Sequence, residues 1–264
     1  MIIIKRGFPS TVLKGMLDQK TTSSDWLSIP EEDTKALRTA FDDDRELKEQ
    51  IRTELYPAQN GLCAYCMAKI SMQPSKPIEK IKIEHYKPIS WKTNKQCKDG
   101  VFDYNNYFLV CIGGNDQSFH NDKNLLCCDS QKGNKTITIN PTNQAHIDGL
   151  GYNPDGTIYY ISSDVNEQKT ISDDLNRTLG LNGTFYKPPT LTRYDTRTRL
   201  VERRKTAFKN ANKIILQLIS DCNLTQKNLE ALIENEKNNP SEFSGVYLFY
   251  YKSILNRCLQ NPVV

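Results

Sequence analysis

Cysteines show the clearest chemical spacing in this chain, which contains eight of them. Two form a Cys63-x-x-Cys66 pair, the spacing of a zinc knuckle, and Cys111 and Cys128 are the best candidates for two further ligands. Four thiolates make a closed tetrahedral zinc site with no open coordination position for a reaction. The spacing therefore predicts a structural zinc ion. A redox-active pair would need a βαβ context, which this region does not offer.

An acidic residue followed by a histidine, Glu84-His85, lies between the two halves of this cysteine set. A neutral imidazole can take a proton from water near neutral pH, so His85 is a candidate general base. Glu84 offers a hard oxygen ligand for Mg²⁺ or a similar cation, and Asp129, at the predicted start of a short helix, offers a second. A site with one such cation would leave most of its coordination positions open, which is an arrangement suited to catalysis.

The order of these motifs resembles the HNH, or ββα-metal, nuclease motif held by a four-cysteine zinc site. An acid-His pair is followed by Asn106 before an apolar stretch that ends in Cys111, and then by Cys128-Asp129-x-x-Lys132-Gly133. Further segments look like the PtuB-type HNH nucleases of retron and Septu anti-phage systems: Gly61-Leu62-Cys63-Ala64-Tyr65-Cys66, Ile83-Glu84-His85-Tyr86, Asn140-Pro141, Gly156-Thr157-Ile158 and Leu179-Gly180-Leu181-Asn182. The resemblance covers about residues 1 to 205, with its core from 61 to 141.

The resemblance implies a metal-dependent endonuclease that uses structural Zn²⁺ and catalytic Mg²⁺ or Mn²⁺ and acts as the effector of an anti-phage complex. It implies a PtuA-type ATPase as partner and, in retron versions, a reverse transcriptase with its RNA-linked DNA. DNA is the default target, and tRNA or another structured RNA is the alternative. We expect the amide of Asn106 to hold the loop backbone that orients His85 rather than to bind metal.

The sequence departs from the commoner HNH pattern at two points. Asp129 stands where Asn or His is usual, which leaves the metal preference open, although a carboxylate still binds a hard cation. A long spacer replaces the short second knuckle, so Cys127 and His120 are rivals to Cys128 as the fourth zinc ligand. We favour Cys128 because it directly precedes Asp129 in the matched motif.

Lysines flank the proposed active site, and Lys87 and Lys132 are candidates for binding substrate phosphate. A solvated helix lysine is an equally good interpretation of Lys132. The basic run from residue 193 to 213 could contact nucleic acid or an acidic partner, or form a solvated helix face. An alternative for the whole chain is a non-catalytic, zinc-braced binding or assembly module, in which the helical regions are the functional part.

The elements that must position these residues fall into three predicted segments. Residues 1–60 form an N-terminal helical arm, rich in acids between 25 and 54, with two helices that end before Asn60-Gly61. Residues 61–145 form the loop-rich zinc-braced ββα-metal module. Residues 146–264 contain a hairpin turning at Asp155-Gly156, then helices to the end, the second of the last three capped by Thr225, and we expect them to bind the partner. The predicted class is therefore α+β.

Composition limits the classes that need consideration. The 264 residues carry 35 Lys+Arg and 31 Asp+Glu, 38% hydrophobic and 9% aromatic residues, which excludes a disordered chain. Four apolar residues precede Lys5-Arg6, the reverse of a secretory signal, and no apolar run approaches the roughly 20 residues that cross a bilayer. We therefore expect a cytoplasmic protein without membrane contact, in which cysteines serve metal binding rather than disulfides.

Overall fold

The N-terminal segment is helical, as predicted. The computed structural model describes residues 1–89, 98–115, 125–185 and 193–260. Its first four helices are α1 (Thr11–Thr22), α2 (Ser24–Ser28), α3 (Thr34–Asp42) and α4 (Arg45–Ala58). The side chains of Asp33 and Asp44 cap α3 and α4 by accepting hydrogen bonds from backbone N–H groups of the first turns. The two helices predicted before Asn60 are confirmed as α3 and α4.

Two strands and a short helix follow the helical arm. Strands β1 (Ile81–His85) and β2 (Tyr107–Cys111) are antiparallel, with Glu84 opposite Phe108 and His85 opposite Tyr107. Helix α5 (Cys128–Lys132) packs against β2. Glu84 and His85 are the last two residues of β1, so the end of this strand carries both candidate groups.

A buried glutamine joins the arm to this strand pair. The side chain of Gln59, at the end of α4, donates to the Leu109 carbonyl at 2.7 Å and accepts from the Leu109 N–H at 2.8 Å. The same amide nitrogen donates to the Leu62 carbonyl at 2.9 Å. An amide that pairs with both backbone groups of one residue acts like a neighbouring strand. The Gln59 side chain therefore satisfies the backbone N–H and carbonyl of Leu109 at the edge of β2.

The predicted hairpin is present. After α6 (Gln144–Asp148), strands β3 (Leu150–Tyr152) and β4 (Ile158–Tyr160) pair antiparallel. Gly156 makes the turn with a φ of 90°, and a Cβ there would lie 2.0 Å from the Val201 carbonyl oxygen. Only glycine fits a turn with both features.

The C-terminal segment is mostly helical, with one departure from the prediction. Helix α7 (Val165–Asp173) and a π-helical turn (Asp174–Thr178) precede α8 (Leu200–Ser220), α9 (Gln226–Asn238) and α10 (Ser244–Gln260). Between them, β5 (Thr184–Phe185) pairs with β6 (Arg193–Tyr194), so the prediction of helix from Asp173 onward was wrong there. Thr225 caps α9 by accepting from the Asn228 N–H at 3.2 Å, as expected.

The core runs through all three sequence segments. One buried cluster includes Ile51 of α4, Val110 of β2 and Leu200 of α8, and a smaller cluster lies between α8, α9 and α10. The class is mixed α and β, and the division into arm, module and helical region stays a prediction. None of the helices within the described residues has the length and apolarity to cross a membrane.

Candidate metal site and active-site cleft

Four buried cysteines from three parts of the chain converge on one point. Cys63 and Cys66 lie in the turns after α4, Cys111 ends β2 and Cys128 begins α5. Their sulfur atoms all lie within 4.8 Å of one another. The Cys63 and Cys128 Sγ atoms are 3.8 Å apart, and so are those of Cys66 and Cys111.

This spacing fits a tetrahedral metal. With a Zn–S bond of about 2.3 Å, the edges of a regular sulfur tetrahedron measure about 3.8 Å. The group is also buried and made only of soft sulfur donors, the set that zinc prefers in structural sites. The four cysteines can therefore hold a structural metal such as zinc, with no position left for substrate.

The structure favours Cys128 over Cys127 as the fourth metal ligand. Cys127 is also buried, but its sulfur lies 3.5 Å from the Thr198 hydroxyl and is not one of the four mutually close sulfur atoms. Its backbone N–H bonds to the Gly113 carbonyl, while the Cys128 N–H bonds to Leu179. The other rival, His120, lies outside the described residues.

Glu84 and Asp129 meet although they lie on different elements. Glu84 projects from β1 and Asp129 from the first turn of α5, and their carboxyl groups share a hydrogen bond. Burial and then this hydrogen bond raise the pKa of Glu84 to about 8, against the opposing effect of Lys132. Burial acts to raise the pKa of Asp129 too, but the hydrogen bonds from Glu84 and Lys82 and the charge of Lys82 lower it overall.

Each of these carboxylates is paired with a lysine. Lys82 Nζ lies 2.8 Å from Asp129 Oδ2, and its side chain is 38% exposed. Lys132 Nζ lies 2.5 Å from Glu84 Oε1, and its side chain has no exposed surface. Lys132 therefore has no surface with which to meet a phosphate in this arrangement, and its ammonium is the counter-ion of Glu84.

The donor set fits a hard divalent cation. Two carboxylates from separate elements lie within hydrogen-bonding distance, and the cleft beside them is open to solvent. Both carboxylates already attract cations, namely the two lysine ammonium groups. Hard oxygen ligands of this kind are those that Mg²⁺ and Mn²⁺ prefer, and Glu84 and Asp129 are the residues that would hold the ion.

His85 is held as a neutral imidazole. Its ring packs edge-on against Phe41 and Tyr107, with centroid separations of 4.6 and 5.1 Å. Burial lowers the pKa of His85 to about 4. Its Nε2 lies 3.0 Å from the Val101 carbonyl oxygen, which can only accept, so Nε2 carries the hydrogen and Nδ1 keeps a lone pair.

Asn106 ties together the backbone after β1. Its Oδ1 accepts from the Lys87 N–H at 2.7 Å, and its Nδ2 donates to the Lys87 carbonyl at 3.0 Å and the Gly100 carbonyl at 2.8 Å. These bonds fix the loop that follows His85 and the segment that carries Val101. The side chain of Lys87 is exposed and does not line the cleft described next.

A cleft of about 500 Å³ opens beside these groups. Glu84, His85 and Asp129 line it. The N-terminal helices also line it and contribute three cations, Arg38, Lys48 and Arg52.

These three cations were not predicted as site residues, because the segment that contains them is acidic overall. The spacing of Lys48 and Arg52, four residues apart on α4, was the signal that they share a helix face.

Comparison with known proteins adds no family to this geometry. No protein-family model matches the chain, and no curated protein matches it.

Proposed function

We propose that the chain is a metal-dependent endonuclease of the HNH type, which hydrolyses phosphodiester bonds of nucleic acids. The observation that carries the proposal is the convergence of Glu84, His85 and Asp129 on one cleft beside a buried four-cysteine cluster. The order of elements, two antiparallel strands and then a short helix, is that of a ββα-metal module. The acid and the histidine lie on the first strand of this module, and the second carboxylate lies on its helix.

The residues have separate parts in this reaction. His85 Nδ1 accepts the proton of the attacking water, while the Val101 carbonyl keeps the ring in the required tautomer. Asn106 positions His85 indirectly, through the loop backbone. Glu84 and Asp129 would hold Mg²⁺ or Mn²⁺, which would supply positive charge to stabilise the scissile phosphate and the leaving oxygen. Of the two lysines paired with the carboxylates, Lys82 is the one that can leave its partner, Asp129, to make room for a metal ion. Its side chain is more exposed than that of Lys132.

The biological assignment rests on the motifs. Their resemblance to PtuB-type nucleases supports a role as effector of a retron or Septu anti-phage complex, with a PtuA-type ATPase and, in retron versions, a reverse transcriptase carrying RNA-linked DNA. We propose DNA as the target and structured RNA, including tRNA, as the alternative. A site that grips phosphate needs few contacts to bases, so both backbones can enter the same cleft.

The experiment compares wild-type protein with Asp129→Asn, alone and with the ATPase, on labelled DNA and on total cellular RNA. Wild-type protein should cleave one of these substrates only when Mg²⁺ or Mn²⁺ is added. Asp129→Asn keeps the side-chain volume but removes the charge, so it should need a higher metal concentration for the same rate. Cleavage that is unaffected by omitting divalent metal would refute the proposal.

The buried Glu84–Lys132 pair favours a second candidate, a zinc-braced assembly module without catalysis. A fully buried ion pair can serve structure alone, since each charge is neutralised by the other. This candidate predicts that no DNA or RNA is cleaved under any metal condition, and that the helical regions still bind the ATPase. Metal-dependent cleavage lost in Asp129→Asn would exclude it.

A further inference from the structure

The acidic arm presents more cations than anions to the active-site cleft. Several of its acids are engaged elsewhere: Asp33 and Asp44 cap helices, and Glu54 accepts hydrogen bonds from the backbone and side chain of Ser10. The arm residues that line the cleft are instead Arg38, Phe41, Asp42, Lys48 and Arg52. Three of these five carry a positive charge and one a negative charge.

The two arginines of this set are available to a ligand. The Arg38 guanidinium makes neither a hydrogen bond nor an ion pair with any of the described residues. Its charge reaches His85, whose pKa it helps to lower. Arg52 pairs with Glu49 at 3.2 Å, but the Glu49 side chain is 61% exposed, so the pair is weak and a phosphate can displace it. Lys48 already donates to the Asp42 carbonyl and is less free.

The residues of β1 and α5 that line the cleft have little net charge of their own. Glu84 is neutralised by Lys132, and Asp129 by Lys82. The cations of α3 and α4 that line the cleft are therefore its main source of positive charge for an anion. Guanidinium groups are suited to this task because their planar donors match two phosphate oxygens.

We propose that Arg38 and Arg52 form a subsite that binds a backbone phosphate next to the scissile one. The nucleic-acid strand then spans the cleft from α3 and α4 to the β1–β2–α5 unit. This inference rests on the proposed function for the identity of the ligand, and it gives the N-terminal helices a part in substrate binding. The chemistry recognised is the phosphodiester backbone that DNA and RNA share.

The test is a binding measurement in a background that cannot cleave. His85→Gln suits this purpose because its amide can still donate to the Val101 carbonyl, while the basic Nδ1 is lost. In that background, Arg38→Gln with Arg52→Gln is compared with Lys35→Gln with Arg45→Gln. The control pair also removes one cation from each of α3 and α4, but from exposed positions that do not line the cleft.

Zinc-loaded proteins are titrated against a fluorescein-labelled DNA duplex of about 20 base pairs and a labelled RNA of equal length, over a series of salt concentrations. Loss of this one phosphate contact should reduce the slope of log K against log salt by about 1 and weaken binding about tenfold. The control pair should weaken binding less than about twofold. Arg38→Lys with Arg52→Lys should restore most of the slope, because lysine returns the positive charge. It lacks the paired planar donors of arginine, so the recovery should not be complete.

Equal losses in the two pairs, or no loss in either, would overturn the subsite, and so would an absence of binding to both nucleic acids at low salt. All four positions are on the helix surface, so we expect the double variants to have the same urea unfolding midpoint as the His85→Gln protein. The subsite and the nuclease proposal fail separately. Cleavage by wild-type protein with no effect of the arginines refutes only the subsite. Arginine-dependent binding without cleavage supports the subsite and refutes the nuclease.

Discussion

Removing one zinc ligand should unfold the region around the four-cysteine cluster. The change is Cys66→Ala, and the matched control is Cys127→Ala, which removes the same atom from a neighbouring buried position. Both cysteines are almost fully buried, so the loss of packing is similar in the two variants. The difference in stability between the two variants therefore measures the contribution of the bound metal.

The magnitude follows from the geometry. Sulfur pairs at 3.8 Å fit a metal with four thiolate bonds, and structural zinc binding is worth about 10–16 kcal/mol in small zinc domains. Domain stability is only about 5–15 kcal/mol, so losing even about 5 kcal/mol is severe. At about 2–4 °C per kcal/mol, Cys66→Ala should lower Tm by about 10–20 °C. Cys127→Ala should cost about 1–2 kcal/mol, or less than about 8 °C.

The assay is metal content per chain by mass spectrometry, together with thermal unfolding followed by circular dichroism. Wild-type protein and Cys127→Ala should each carry one zinc ion per chain, and Cys66→Ala should carry none. The reasoning is refuted if Cys66→Ala keeps its zinc and its Tm. If Cys127→Ala loses zinc, the fourth ligand has been assigned to the wrong cysteine.

Three further predictions concern stability, each measured by urea unfolding against wild-type protein. Arg204→Met should cost about 3 kcal/mol, because it leaves the Gly156 and Leu181 carbonyls without their buried donor; a cost below about 1 kcal/mol contradicts this. Asn106→Ala should cost about 3 kcal/mol by breaking three loop hydrogen bonds and should also slow cleavage, and a stable variant with wild-type cleavage contradicts its positioning role. Gly113→Ala should cost more than about 3 kcal/mol, since its Cβ would lie 1.8 Å from a carbonyl oxygen, whereas Gly133→Ala, also at positive φ but in open space, should cost about 1 kcal/mol. Equal losses of unfolding free energy at the two glycines would contradict this, because they would show that the protein relieves the close contact at position 113.

The elements that sequence analysis predicted are those whose signals are local. Asp155-Gly156 between two short apolar runs specifies a hairpin turn, and Thr225 before a helical repeat specifies a cap, without reference to the rest of the chain. Strands β5 and β6 have two residues each, too few to show an alternating pattern, and their pairing depends on the surrounding fold. That is why a continuous helical region was predicted there.

In the site, too, some features could be predicted from the sequence and others depend on the folded chain. The order of cysteines, acid-His pair and aspartate along the chain, through its resemblance to the HNH motif, was enough to predict that the four cysteines meet and that Glu84 lies near Asp129. The burial of Lys132 was not, because it depends on how α5 packs against β2 and where Glu84 then lies. Likewise Arg204 belongs to a basic run that suggested a surface contact, but it is buried and donates to two carbonyls. Arg38 and Arg52 were overlooked because net charge along the arm does not show which helix face meets the cleft.

The most direct test of the account is the rate of nucleic-acid cleavage by zinc-loaded wild-type protein and by His85→Gln, with and without Mg²⁺ or Mn²⁺, each alone and with the ATPase. Wild-type protein should cleave DNA or RNA only with the divalent metal. His85→Gln should be slower by about 10²–10⁴-fold, the usual contribution of a general base, while its zinc content and unfolding midpoint stay those of wild type. Equal rates for the two proteins, or no cleavage by wild-type protein under any of these conditions, would contradict the account.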